Sequence, residues 1–239
     1  MPKSIAVFGA GPALGRAVAQ RYAREDYTVV LVARGRERLE QLASELGGAG
    51  GAAHVIAADL GDTDAVPWLA GQIRGLVGDL DAFYYGASAG GFVPAAALTP
   101  QHIQAFLPLS VYTLLALVHE FLPSMLERGD GAILTAQGAS AVRGLPYISG
   151  PGPALAAQRN YLQALRAEVA GQGVYVGALY IGAAIENSPF HADRQAAKAA
   201  GRPVSDMPDV DPAELAELLW AMHATKRPEA TYPEDLFNR

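Results

Sequence analysis

The stretch FGAGPALGRAVA (residues 8–19) follows a short apolar run, IAVFG (5–9), and opens a segment with helical periodicity. Gly9, Gly11 and Gly15 stand in it as G-x-G-x-x-x-G. Gly9 permits a tight turn, the bare Gly11 lets an anion approach the backbone, and Gly15 lets helix pack closely on strand. The first N–H groups of the helix, in the turn of Pro12, Ala13 and Leu14, then face the space where a diphosphate is favoured. Glycines alone are a weak signal. Between a first strand and a first helix they predict a dinucleotide-binding turn.

Outward from this turn, short apolar runs alternate with helical segments. A helix is expected over 13–25, a strand over 27–34, a helix over 36–46, a strand over 53–59, a helix over 64–76 and a strand over 81–86. A long helical region starts at Thr99, which can cap it with Pro100 at the first position, and Pro108 is expected to kink or interrupt it. Strands over 131–138 and 174–182 flank a helix from Pro153, and Asp211 with Glu214 suggests a capping box for the last helix. TYPE (231–234) suggests a final short strand. This order predicts an α/β fold: one Rossmann-type domain over 1–239, a doubly wound parallel sheet with helices on both faces. Residues 187–208 are polar and small, break the rhythm, and are expected to form a substrate lid.

The second strand ends Val32-Ala33-Arg34. An acidic residue there would hold ribose hydroxyls and repel a 2′-phosphate, whereas an arginine pairs with one through two hydrogen bonds. Arg34, with Arg36 and Arg16 nearby, therefore points to NADP(H). Asp59 and Leu60, ending the third strand, are placed near the adenine.

Composition bounds the rest. A net charge of −6 disfavours nucleic acid as a partner, and the absence of cysteine excludes thiolate chemistry and disulfides. No two histidines have metal-ligand spacing, so no catalytic metal is expected. No signal peptide and no membrane-spanning apolar stretch are expected, which leaves a cytoplasmic location as the default.

The glycine turn, VLVARGRERLEQLASEL, AADL, LDAFYYGAS, FLPSMLERGDGAIL, ALRAEVAGQGVYV and Gly182 together resemble the short-chain dehydrogenase/reductase family over nearly the whole chain. The resemblance implies a single domain with a seven-stranded parallel sheet, an NAD(P) cofactor, a small-molecule substrate and a homodimer or homotetramer built on the fourth and fifth long helices. It also implies cofactor contacts at Gly86, Ala87, Ile181, Gly182 and Ile185.

The family's catalytic pattern is broken. Where typical members end the fourth strand N-N-A-G, this chain has Tyr85-Gly86-Ala87-Ser88. The family's helix asparagine falls on Ser110, its catalytic serine on Gly138, and its tyrosine and lysine on Pro151 and Leu155. Counts back from Glu168 and forward from Gly138 agree on Pro151. In typical members the tyrosine exchanges a proton with substrate, the lysine lowers its pKa and holds the ribose, and the serine polarises the carbonyl. Without a positioned acid, a developing alkoxide is poorly stabilised.

Replacements are sought beyond the carboxyl ends of the strands. Tyr147, four residues before Pro151, is the foremost candidate proton donor, and it equally suits packing of the loop. Tyr84 and Tyr85 face opposite sides of the sheet, so one belongs to the core and the other, Tyr85, could stand above the cofactor. Gln137 could hydrogen-bond a substrate carbonyl, and Ser140, Ser88, Ser149, Tyr180, Glu186 and Asn187 share the same edge. Tyr112 and His119 lie on one helix face, which suits an interface, while Phe190 and His191 begin the lid. Three readings follow: an atypical oxidoreductase acting on a small or medium apolar carbonyl, enone or imine; a non-redox cyclase, isomerase or lyase; and an inactive NADP(H)-sensing or oligomer-partner protein.

Overall fold

The computed structural model describes residues 2–88, 90–144 and 149–237. Strands β1 (Ser4–Phe8), β2 (Thr28–Ala33), β3 (Ala53–Ala57), β4 (Ala82–Tyr85), β5 (Gly131–Gly138), β6 (Val174–Ile181) and β9 (Glu229–Tyr232) form one sheet in the order β3-β2-β1-β4-β5-β6-β9. Every pairing is parallel. Apolar runs such as SIAVF and VYVGALYI are buried along their whole length, because helices cover both faces. One face carries α1 (Leu14–Ala23), α2 (Arg36–Gly48) and α8 (Pro212–Thr225). The other carries α3 (Val66–Val77), α5 (Thr113–Arg128) and α6 (Gly152–Glu168). The chain reverses its direction of travel between β1 and β4, and the crevice at such a switch point is where ligands bind in open α/β sheets.

Thr99 caps α4 (Pro100–Leu107): its hydroxyl accepts from the His102 N–H, and the imidazole of His102 accepts from the Thr99 N–H. Pro108 does not interrupt this helix. It opens a π-helical turn, Pro108–Tyr112, that joins α4 to α5 as one continuous helix over Pro100–Arg128. A proline cannot donate to the carbonyl four residues back, and the wider turn absorbs the ring without ending the helix. The continuous helix is long and apolar enough by length and composition to cross a membrane, contrary to the expectation that no stretch would be. Its inner side, with Leu114, Leu117, Val118 and Phe121, packs into the core beneath the sheet.

The segment 187–208 is more ordered than its polar composition suggests. Ser188 accepts from the His191 N–H at 3.1 Å and Pro189 takes the first turn, so α7 (Pro189–Ala199) forms. Strands β7 (Ala184–Ile185) and β8 (Asp209–Val210) pair in parallel and tie the segment's ends together. Arg194 locks α7 down by an ion pair to Asp209 and by donation to the Met207 carbonyl at 2.6 Å. Asp211 caps α8 by accepting from the Ala213 N–H at 2.8 Å, but the expected capping box with Glu214 does not form.

Candidate cofactor and active site

The glycine turn is assembled by close approach of backbone to backbone. Gly9 has φ of +94°, and a Cβ there would lie 2.8 Å from the Ala87 nitrogen, so the turn abuts the loop after β4. A Cβ on Gly15 would lie 2.1 Å from the Gly9 carbonyl oxygen. At Gly11 the nearest atom is 3.9 Å away, which leaves its outer side open. Helix α1 starts behind Ala13 without a side-chain cap and without an acidic residue in its first turn. Its first N–H groups therefore keep their affinity for an anion.

Arg34 projects from the end of β2 as an exposed side chain in no ion pair among the described residues. Its neighbours are engaged: Arg16 meets Glu45 at 2.8 Å and Arg36 meets Glu40 at 3.6 Å. The Asp59 carboxylate accepts from the Gly61 N–H at 2.9 Å and stays exposed. The Leu60 side chain is in the core and its carbonyl accepts from the Thr113 hydroxyl at 2.6 Å. Gly86 donates to the Phe8 carbonyl and Gly182 to the Tyr232 carbonyl, which fixes both loops at the sheet's edge. A Cβ on Gly182 would collide with Leu236, Ile181 is buried, and Ile185 is half-buried in β7.

Gly138, Ser140, Gly152 and Leu155 meet at the end of β5. A Cβ on Gly138 would lie 3.6 Å from Ser140 Oγ and 3.7 Å from Leu155 Cδ1, and one on Gly152 would lie 3.4 Å from Ser140 Cβ. The positions reached by two separate counts along the chain thus converge in space. Pro151 is buried and Leu155 is only 9% exposed. The loop before α6 is anchored across the cleft: Ser149 and Gly150 direct their N–H groups to the Val93 carbonyl, at 3.0 and 3.3 Å. Gly150 has φ of +38°, and a Cβ there would lie 2.2 Å from the Gly91 oxygen. Phe92 in turn meets Phe190 of α7 edge-to-face at 5.4 Å.

Among the candidate proton donors, Tyr147 lies outside the described residues. Tyr85 does not reach the cleft. It is buried, and its hydroxyl donates to the Leu109 carbonyl in the π turn. Burial raises its pKa well above the usual phenol value. The adjoining Ser110 carbonyl accepts from Gln158 Nε2 at 2.6 Å, and Gln158 is itself buried. Two side chains from other elements thus donate to consecutive carbonyls of the π turn. Their role was not foreseen, and Pro108 inside a helical pattern was the only available signal. Gln137 is also buried: Nε2 lies 3.4 Å from Thr135 Oγ1 and Oε1 has no partner among the described residues. Tyr180 points at Glu229, 3.4 Å away, and burial first, then that carboxylate, pushes its pKa up to about 12. Ser88, Glu186 and Asn187 are exposed, and Ser140 is half-buried beside Gly138. No group of three potential metal ligands exists among the described residues.

The family model described as short chain dehydrogenase matches residues 3–197. The chain belongs to the short-chain dehydrogenase family. This short-chain dehydrogenase is 31% identical over 179 residues to serine 3-dehydrogenase of Rhizobium radiobacter, a match covering 74% of this chain and 70% of that protein. It is 29% identical over 174 residues to ketoacyl reductase HetN of Nostoc sp., covering 73% of this chain and 61% of the relative. Among solved structures it shares its fold with an actinorhodin polyketide ketoreductase crystallised with NADPH, at 21% identity and a TM-score of 0.88 over 100% of this chain and 98% of that one. A Thermococcus sibiricus alcohol dehydrogenase complexed with 5-hydroxy-NADP superposes with a TM-score of 0.80 at 23% identity, covering 96% and 95%.

Proposed function

We propose that this short-chain dehydrogenase binds NADP(H) and acts as an oxidoreductase on a small or medium apolar carbonyl, enone or imine, without the tyrosine–lysine pair of its family. The observation that carries this reading is the uncapped N-terminus of α1 beside the open side of Gly11, together with the unpaired guanidinium of Arg34. The backbone donors of the first turn suit a diphosphate, and Arg34 suits a 2′-phosphate. The serine dehydrogenase and ketoacyl reductase among the relatives are oxidoreductases by name, which supports the reaction class and not the substrate.

The nicotinamide, when bound, supplies or accepts a hydride. The chain's own residues shape the other reactant. Ser140 lies beside the bare Gly138 and can hydrogen-bond a polarised oxygen or nitrogen. Phe92, Phe190, Val204 and Met207, with Asp193, Arg194 and Ser205, line a cavity of about 270 Å³ beside α7, which supports reading 187–208 as the lid over an apolar substrate. With no acid among the described residues at Pro151 or Leu155, the reaction favours a substrate that needs little help with its proton. An iminium arrives protonated, and the enolate from an enone takes its proton from water. Tyr147, four residues before Pro151 in the sequence, is the proposed side-chain proton donor. A homodimer or homotetramer is proposed on the groove between α5 and α6, where Tyr112 and Leu115 are exposed. A second reading, NADP(H) sensing without turnover, is favoured by the burial of Pro151 and Leu155.

Calorimetric titration tests the cofactor. NADPH is expected to bind at least about tenfold tighter than NADH, the worth of one charge-assisted pairing, and Arg34→Ala is expected to remove the difference. Equal affinities would overturn the assignment. Following NADPH absorbance with a panel of ketones, enones and imines tests the reaction. Consumption supports the oxidoreductase, and tight binding without consumption supports the sensor.

A further inference from the structure

Four tyrosines are almost completely removed from solvent: Tyr22, Tyr84, Tyr85 and Tyr180. Three of them use their hydroxyls within the fold. Tyr22 meets His223 Nδ1 at 2.9 Å, Tyr85 donates to Leu109, and Tyr180 donates to Glu229. The Tyr84 hydroxyl has no hydrogen-bond partner among the described residues. That hydroxyl is not among the fully enclosed polar atoms that lack a partner, so its oxygen keeps access to the space beyond the strand's end and is free to meet a ligand.

That position is set by a pair of residues on one strand face. Residues two apart in a strand point the same way, and a Cβ on Gly86 would lie 2.1 Å from the Tyr84 hydroxyl oxygen. The ring therefore lies along β4 and delivers its hydroxyl to the strand's carboxyl end. The same Tyr-x-Gly arrangement recurs in β6, where a Cβ on Gly177 would lie 2.1 Å from the Tyr175 hydroxyl. There the hydroxyl donates to the Arg227 carbonyl at 2.7 Å. In β4 no carbonyl among the described residues accepts from the hydroxyl. Instead Gly86 and Ala87 abut Gly9 of the phosphate turn, and the ring shares its core cluster with Leu14 of α1. The hydroxyl is thus carried to the floor of the crevice on the side where α1 presents its N–H groups. Burial raises the Tyr84 pKa strongly, which keeps the phenol neutral and able to donate.

We propose that Tyr84 is a cofactor-positioning residue: its hydroxyl, admitted by the absence of a side chain at Gly86, hydrogen-bonds an oxygen of the diphosphate or of the adjoining ribose in the nicotinamide half of the dinucleotide. This rests on the NADP(H) reading above. The hydroxyl supplies from beneath the sheet's edge a polar contact that the side chain at 86 cannot make.

The test compares wild type with Tyr84→Phe by calorimetric titration of two probes, NADPH and adenosine 2′,5′-bisphosphate. The second probe lacks the diphosphate bridge and the nicotinamide ribose. Loss of one hydrogen bond is expected to weaken NADPH binding by about three- to tenfold and to leave the bisphosphate unchanged. Gly86→Ala, whose methyl group displaces the ring, is expected to show the same selective loss. Unchanged NADPH affinity in Tyr84→Phe, or equal losses for both probes, would overturn the assignment. Failure of wild type to bind NADPH would instead overturn the cofactor reading, so the two failures are separate.

Discussion

At Gly15 the first turn of α1 lies against the carbonyl of Gly9, and the neighbouring atoms are all backbone. A methyl group there cannot be accommodated by turning a side chain aside. Gly15→Ala is expected to cost about 1–3 kcal/mol and to lower Tm by roughly 3–10 °C, with weakened NADPH binding, as checked by thermal unfolding and titration. Arg34 shows the opposite dependence. It is exposed and unpaired, so its removal should leave stability within about 0.5 kcal/mol of wild type while changing cofactor preference.

The π turn explains more of the site's chemistry than any single side chain. Pro108 cannot hydrogen-bond backward, the helix widens over five residues, and the Leu109 and Ser110 carbonyls turn to Tyr85 and Gln158. Gln158→Leu keeps comparable volume but removes the buried side-chain donor to the Ser110 carbonyl. It is expected to lose about 1–3 kcal/mol in urea unfolding, and a loss below 0.5 kcal/mol, on the order of a surface change, would contradict this account. Strand β5 over 131–138 and the Thr99 cap were legible because each depends on local pattern. The fate of Tyr85 was not legible, because the phenol's partner is a carbonyl 24 residues away that only the tertiary packing brings beside it. Helix α7 was missed although Ser188-Pro189 is a good start signal, since its small polar residues carry little apolar periodicity. The crevice followed from strand order and the glycine turn. The burial of Leu60 and Gln137 did not, because it is set by packing across the sheet.

The molecule as a whole has a second polar–aromatic centre away from the cleft, between α1, α8 and the start of β6. His223 stacks on Tyr175 and Tyr22, and Tyr22 hydrogen-bonds its Nδ1. Burial first, then Lys226 and Lys3, depresses its pKa to about 4, against a weaker opposing pull from Asp130. The folded state therefore resists protonation more than the unfolded chain, whose histidine titrates near 6.5. Stability from this group is present above about pH 6.5 and is lost as pH falls toward 4, by on the order of 3 kcal/mol. Urea unfolding at pH 7 and pH 4.5 should show the decline in wild type and a flatter profile in His223→Gln.

The loop that Gly150 pins against the Gly91 oxygen also limits what this end of the sheet can accept. Pro151 is buried and the Leu155 side chain packs toward Gly138. A tyrosine placed at 151 with a lysine at 155 would bring a large ring and a charge into closed space without partners. Transplanting the usual catalytic pair is therefore a matter of redesigning the loop and not of two substitutions.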